Sequence, residues 1–144
     1  IIINNKEVPK EFFVDKEVAK DKKKGWAFHK GAKQKRRVDK ITGYEYIFAE
    51  GSMNLTDDLN KPSRTIITGE GGASASRTKH LIKVNGKYRR LTPLELERLN
   101  MFPDNFTQKG VEGDILATKR AFLMGNALVV GVVSKIGKEL AKRL

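Results

Sequence analysis

Strand-like patterning is confined to a few short stretches between Val38 and Leu91, and helical spacing follows from Thr92. From Val38 to Phe48 the pattern is strand, turn and strand, with Ile41-Thr42-Gly43 at the turn and β-prone Tyr44, Tyr46, Ile47 and Phe48 after it. Residues 49–63 are rich in turn formers and predict irregular chain. A short strand, Arg64–Thr68, is expected to deliver the glycine-serine loop of residues 69–77. Leu81–Val84 and Lys87–Leu91 flank Asn85-Gly86, a pair that accepts the positive φ angles of a type I′ hairpin turn. Thr92 then caps a helix: Pro93 takes its first position, Glu95 completes a capping box, and Leu91 and Leu96 are spaced as a hydrophobic staple. That helix should stop near Asn100, ahead of Phe102-Pro103. Residues 114–124 predict a second helix, and Asn126 a cap for a third, with Val129, Val132, Val133, Ile136 and Leu140 as its apolar stripe and a basic far end. The fold class is α+β, a small and mainly antiparallel β region followed by helices.

Length and charge narrow the function. At 144 residues one domain is the default. The formal net charge is +12, from 29 Lys plus Arg against 17 Asp plus Glu, which favours a polyanion as partner. The chain has no cysteine, so disulfides and cysteine zinc sites are excluded, and its two histidines lie far apart; no metal is expected. Ile1-Ile2-Ile3 is too short for a signal peptide. The most apolar stretch, residues 121–133, falls short of the roughly 20 residues needed to span a bilayer and runs into Lys135, Lys138, Lys142 and Arg143. No membrane partner is expected, and the location should be cytoplasmic.

Two segments carry candidate binding chemistry. Within the basic block of residues 15–40, Lys33, Gln34, Lys35, Arg36 and Arg37 lead into the first hairpin, where they can neutralise phosphates or read base edges; the plain alternative is a solvated charged face. The loop of residues 69–77 reads on composition as a flexible linker, but its glycines also permit close backbone approach to a ligand, and Arg77 can donate to guanine. Glu95 and Arg98 read as an ordinary surface pair on their helix.

The order of two motifs gives these segments a context. Arg89-Arg90-Leu91-Thr92-Pro93-Leu94-Glu95-Leu96-Glu97-Arg98-Leu99-Asn100-Met101-Phe102-Pro103, followed by Gly125-Asn126-Ala127-Leu128-Val129, resembles the last two conserved blocks of the C5 cytosine DNA methyltransferases. The resemblance implies a target-recognition domain over residues 1–112, including the helix at 92–100, and C-terminal helices over 113–144 that would complete a Rossmann-like catalytic domain. It implies double-stranded DNA as partner, with Thr65, Thr68, Gly71, Gly72, Ser74 and Arg77 joining Lys33–Arg37 at the DNA. It also places Asn126 and Ala127 beside S-adenosylmethionine, although Ala127 stands where the family often has serine. The family's Pro-Cys-Gln, Glu-Asn-Val, Gln-x-Arg-x-Arg and Phe-x-Gly-x-Gly blocks are not in this sequence, so no catalytic residue is assigned. The nucleophile and most of the cofactor site would come from an N-terminal part of the same enzyme or from a separate subunit. Opening on Ile1 rather than Met fits such a fragment or a naturally split subunit. The rival is a stand-alone basic nucleic-acid-binding module without activity.

Overall fold

The computed structural model describes residues 1–143. Two 3-10 turns, Asn5–Glu7 and Lys10–Phe12, lead into strand β1 (Phe13–Val14) and helices α1 (Lys16–Lys20) and α2 (Trp26–Lys30). Strands β2 (Lys33–Val38) and β3 (Glu45–Glu50) follow, then a long irregular segment, then β4 (Ile82–Val84) and β5 (Lys87–Arg89). Helix α3 (Pro93–Leu99), strands β6 (Lys109–Gly110) and β7 (Gly113–Asp114), and helices α4 (Ala117–Asn126) and α5 (Val130–Ala141) complete the chain. Every strand pairing is antiparallel: a three-stranded sheet in the order β1-β5-β4, and the hairpins β2-β3 and β6-β7. The class is α+β, as the hydrophobic pattern implied.

Local chemistry sets the centre. Asn85 and Gly86 turn β4 into β5 with φ of 48° and 79°, the positive values a type I′ turn needs. Thr92 and Glu95 form the reciprocal capping box of α3. The spaced leucines Leu91 and Leu96 are both buried, in one cluster with Ile82, Ala121 and Met124, so β4, α3 and α4 share a core. A second cluster, Ala19, Trp26, Leu81 and Tyr88, packs α1 and α2 against the same sheet.

Glu95 is not the surface residue its helical position suggests. It is fully buried, and so is its partner, which is Arg89 rather than Arg98. The guanidinium donates to both carboxylate oxygens at 2.7 and 2.8 Å, and Glu95 also accepts the Thr92 amide and hydroxyl and the Ile3 amide. Arg89 in turn reaches Asn5 Oδ1 and the Ile3 carbonyl, so one ion pair ties the N-terminal segment, β5 and α3 together. Arg98 instead pairs with Asp104 near the surface. Glu97, also buried, accepts the amides of Asn105 and Thr107, the Thr107 hydroxyl and Arg120, which fastens the turn after α3 to α4.

Two elements differ from the sequence pattern. Arg64–Thr68 is not a strand, because among the described residues no neighbouring strand pairs with it. Side chains fix it instead: Arg64 donates to Asp57 and to the carbonyls of Thr78 and Lys79. Asn126 does not cap α5 but ends α4, its amide donating to the Phe122 carbonyl at 3.0 Å. The reason lies in packing: a Cβ on Gly125 would stand 2.4 Å from Thr68 N and 2.5 Å from Ile67 C, so only glycine lets α4 lie against that segment. Asn100 then closes α4 by donating to the Met124 carbonyl, and its own carbonyl accepts the Val130 amide that begins α5. Taken whole, the run from Ala117 to Ala141 is long and apolar enough by length and composition to cross a membrane, contrary to the expectation from residues 121–133, but the non-helical residues 127–129 divide it into helices of 10 and 12 residues.

Two outcomes follow for stability. Gly125→Ala should destabilise by about 1–3 kcal/mol through overpacking, whereas Gly137→Ala, with open space around it inside α5, should stabilise by about 0.5–1 kcal/mol. Equal thermal shifts for the two would contradict the packing argument. Burial alone would raise the Glu95 carboxyl, but the Arg89 and Thr92 hydrogen bonds outweigh it and hold the group below its ordinary 4.5. Glu97 is lowered likewise by Thr107 and Arg120 against the effect of burial. The unfolded chain takes up these protons first, so this contribution is complete above 4.5 and is lost as pH falls through the lowered folded values. Urea midpoints measured against pH should fall on that acid limb, and Glu95→Gln should cost about 3–5 kcal/mol near neutral pH by leaving Arg89 buried without its counter-charge. A flat acid limb would show that these carboxylates are not coupled to folding.

Candidate nucleic-acid interface

Basic residues at 33–37 lie within a strand rather than leading into one. In the β2-β3 register Lys33, Lys35 and Arg37 face Glu50, Phe48 and Tyr46, while Gln34, Arg36 and Val38 face Ala49, Ile47 and Glu45. Strand alternation therefore sends Lys33, Lys35 and Arg37 to one face, along with Tyr46 and Phe48. The Arg37 guanidinium lies 3.8 Å from the Phe48 ring centroid and the Lys33 ammonium 4.4 Å from that of Phe28, so the cations cover rings that would otherwise meet water. Arg36 pairs loosely with Glu45 at 3.6 Å, and Gln34 and Lys35 are exposed. At the tip Asp39 accepts the amides of Ile41 and Thr42 and the Thr42 hydroxyl, and these bonds, the Thr42 amide first, lower its carboxyl. Gly43 closes the turn at φ 71°.

The loop of residues 69–77 is braced from beneath. Glu70 is buried and accepts the His80 amide at 2.6 Å. Arg90 donates to the Gly71 carbonyl, and the buried Lys79 ammonium to the carbonyls of Gly72 and Ser74 and to the Ser74 hydroxyl oxygen. Gly71 also lies on α4, where a Cβ would come 2.8 Å from Thr118 Cα. Arg77 is occupied within the chain. It donates to the carbonyls of Gly51 (2.6 Å) and Gly31 (3.3 Å) and stands 3.6 Å from Glu50, which joins the end of the loop to the root of the β2-β3 hairpin.

A buried charge cluster, which sequence reasoning missed, supports both segments. Asp57 accepts Arg64 at 2.6 and 3.2 Å and the Leu81 amide at 2.9 Å, with the Lys30 ammonium 3.7 Å away. Burial would raise the Asp57 carboxyl, but Arg64 and the Leu81 amide bring it below its usual value. Lys30, 1% exposed, is lowered by burial, which Asp57 only partly offsets. Next to this cluster His80 lies 3.1 Å from Glu70 through Nδ1 and 3.1 Å from the Ser63 hydroxyl through Nε2. Asp57 lies in a stretch whose turn formers predict loop, and nothing in residue order links it to Lys30 or Leu81. The only hint was an acidic residue in a strongly basic chain.

The remaining candidates gather at the other end of the loop. Thr65 and Thr68 are exposed, and Thr68 touches Gly125 through its backbone. Thr65, Gly125 and Ala127 line one cavity of about 870 Å³, together with Ile66, His80, Leu99, Met124 and Leu128. Asn126 is exposed beside it. The structure thus joins Arg77 to the hairpin and Thr65–Thr68 to the Gly125–Ala127 turn. Beyond that turn no residue of α5 is buried among the described residues, and Val132, Val133, Ile136 and Leu140 of its apolar stripe are all exposed.

Residues 3–142 match the model of a family described as C-5 cytosine-specific DNA methylase. The chain is also 45% identical over 113 residues to the Type II methyltransferase M.Sau3AI of Staphylococcus aureus, a match covering 78% of this chain and 26% of that protein. The chain therefore spans about a quarter of the length of that curated relative. No solved structure matches it.

Proposed function

The chain belongs to the C-5 cytosine-specific DNA methylase family, and on that premise we propose that it is the site-selecting part of a DNA (cytosine-5)-methyltransferase. The observation that carries the reading is the family match over residues 3–142 in a sequence without cysteine, which supports a site-selecting role here with the nucleophile supplied by another part of the enzyme. Double-stranded DNA is the partner. The β2-β3 hairpin supplies phosphate contacts from Lys33, Lys35, Arg36 and Arg37, with Gln34 among them, and the braced loop presents Thr68, Gly71, Gly72 and Ser74. Arg77 serves this arrangement by locking the loop to the hairpin, which keeps two contact elements in a fixed relation. A target cytosine taken out of the stack loses pairing and stacking worth a few kcal/mol, and these contacts offset that loss.

Packing supports a second lobe. The exposed stripe of α5 and the cavity beside Ala127 form an apolar surface on which the catalytic part would sit, completing its Rossmann-like domain. The division between residues 1–112 and 113–144 is then one of role, since Ala121 and Met124 of α4 pack in the core with Ile82 and Leu96. Among the described residues the Asn126 side-chain oxygen has no hydrogen-bond donor, and Ala127 walls the cavity, which fits one edge of an S-adenosylmethionine site; the cofactor supplies the methyl group. A stand-alone basic module would explain the charge but not the exposed stripe of α5. The reading places the enzyme in the cytoplasm, acting on nucleoid DNA within a modification system.

Joining this chain to the catalytic region of the same polypeptide, or to that of the S. aureus relative, tests the proposal. With labelled S-adenosylmethionine the purified chain alone should transfer no label, and the joined protein should methylate cytosine at a defined duplex sequence. Transfer by the chain alone, or a joined protein without sequence preference, would contradict it. In the joined protein, glutamine at positions 33, 35, 36 and 37 should reduce the slope of log affinity against log salt by about 0.9 for each phosphate no longer neutralised. An unchanged slope would place the hairpin away from DNA.

A further inference from the structure

Lys79 is 7% exposed, and its ammonium spends all three donors on one turn of the loop: the Gly72 carbonyl at 3.0 Å, the Ser74 carbonyl at 3.0 Å and the Ser74 hydroxyl at 3.2 Å. Among the described residues it has no carboxylate in hydrogen-bonding contact, so the cation is held by the dipoles of two carbonyls and a hydroxyl. Arg90 grips the preceding carbonyl, that of Gly71, at 3.0 Å while its other nitrogen holds the Glu11 carbonyl at 2.6 Å. Three of the four carbonyls from Gly71 to Ser74 are therefore turned inward onto buried cations. The turn wraps the ammonium closely, since a Cβ on Gly72 would stand 2.8 Å from Nζ. The sequence of that turn, Gly71-Gly72-Ala73-Ser74, has almost no conformational preference of its own. Left free it would lose much backbone entropy on docking, and glycine loses more than any other residue.

We propose that Lys79 is a positioning residue for DNA site selection, its buried ammonium holding the Gly72–Ser74 turn in its DNA-reading shape before DNA arrives. The inference rests on the site-selecting role argued above. Lys79 touches no DNA in this account; it acts through Gly72 and Ser74, whose outer side faces solvent at Ala73 and Ser74. A tetrahedral ammonium meets three converging acceptors that the planar fork of arginine cannot meet together, so length and charge alone are not enough.

The test uses the full-length methyltransferase that carries this chain, a duplex library randomised around a central cytosine, and Lys79→Met, Lys79→Arg and Gly72→Ala variants. Two quantities are read: the ratio of methylation at the preferred sequence to that at single-base mismatches, and the salt slope of binding. Lys79→Met and Lys79→Arg should each lower the ratio by about a decade, the scale of one good base contact, with the slope unchanged because a buried ammonium releases no counterion. Gly72→Ala, which displaces the ammonium while leaving Lys79 in place, should lower the ratio in the same direction, and it carries the test if Lys79→Met fails to fold. A slope reduced by about one, with preferred and mismatched sites weakened alike, would make Lys79 a phosphate contact and overturn the proposal. An unchanged ratio in a folded Lys79→Met, or in Gly72→Ala if that variant alone folds, would overturn it equally. Failure of the wild-type enzyme to methylate any sequence would instead refute the site-selecting role.

Discussion

The structure depends on a charged pair with no access to water. Arg89 and Glu95 are both fully buried, and an unpaired charge there would cost several kcal/mol, so the fold must bring β5 and α3 to one fixed separation. The capping box that starts α3 is part of the same constraint, because Glu95 serves Thr92 and Arg89 at once. The N-terminal segment is drawn in through Ile3 and Asn5. Once β5 is fixed, Arg90, the residue just past its end, reaches the Gly71 carbonyl, so the glycine-serine loop is tied to the same point one residue away.

Below the loop the chain repeats this use of buried charge. Glu70, Lys79, Asp57 and Lys30 each hold a backbone group or neighbour an opposite charge, and none lies in a helix or strand except Lys30, which ends α2. Hydrophobic clusters alone would not place residues 53–80, which contain no helix or strand. Side-chain cations and carboxylates do there what hydrogen-bonded ladders do in a sheet. The consequence for function is a glycine-rich loop with a defined shape, set between a basic hairpin and the turn that would border a cofactor.

Legibility in the sequence followed how local each signal is. The Asn85-Gly86 turn, the Thr92 cap and the staple leucines involve residues a few positions apart, and each is found in the structure at its expected place. The class and the first hairpin were legible for the same reason, although β2 begins at Lys33, where lysine and arginine hide a strand that periodicity does not show. What failed was non-local. Glu95 reads as a surface acid until Arg89 arrives from another element, Asn126 reads as a cap until Gly125 is seen to press on Thr68, and Arg64–Thr68 reads as a strand although it has no partner strand among the described residues. Among the site residues, the clustering of Lys33–Arg37 was visible, whereas the inward commitment of Arg77 to Gly31 and Gly51 was not, since those carbonyls are 46 and 26 residues away along the chain.

The glycine-serine loop of residues 69–77 is held by buried charges rather than left as a flexible linker. Amide hydrogen exchange of this chain near neutral pH tests it directly. The amides of His80 and Leu81, which donate to Glu70 and Asp57, and that of Gly72, which donates to the Gly69 carbonyl, should exchange nearly as slowly as that of Leu96 in α3. Those of the exposed helix α5 should exchange much faster. Exchange of residues 70–81 at the rate of an unstructured peptide, with α3 still protected, would contradict the account.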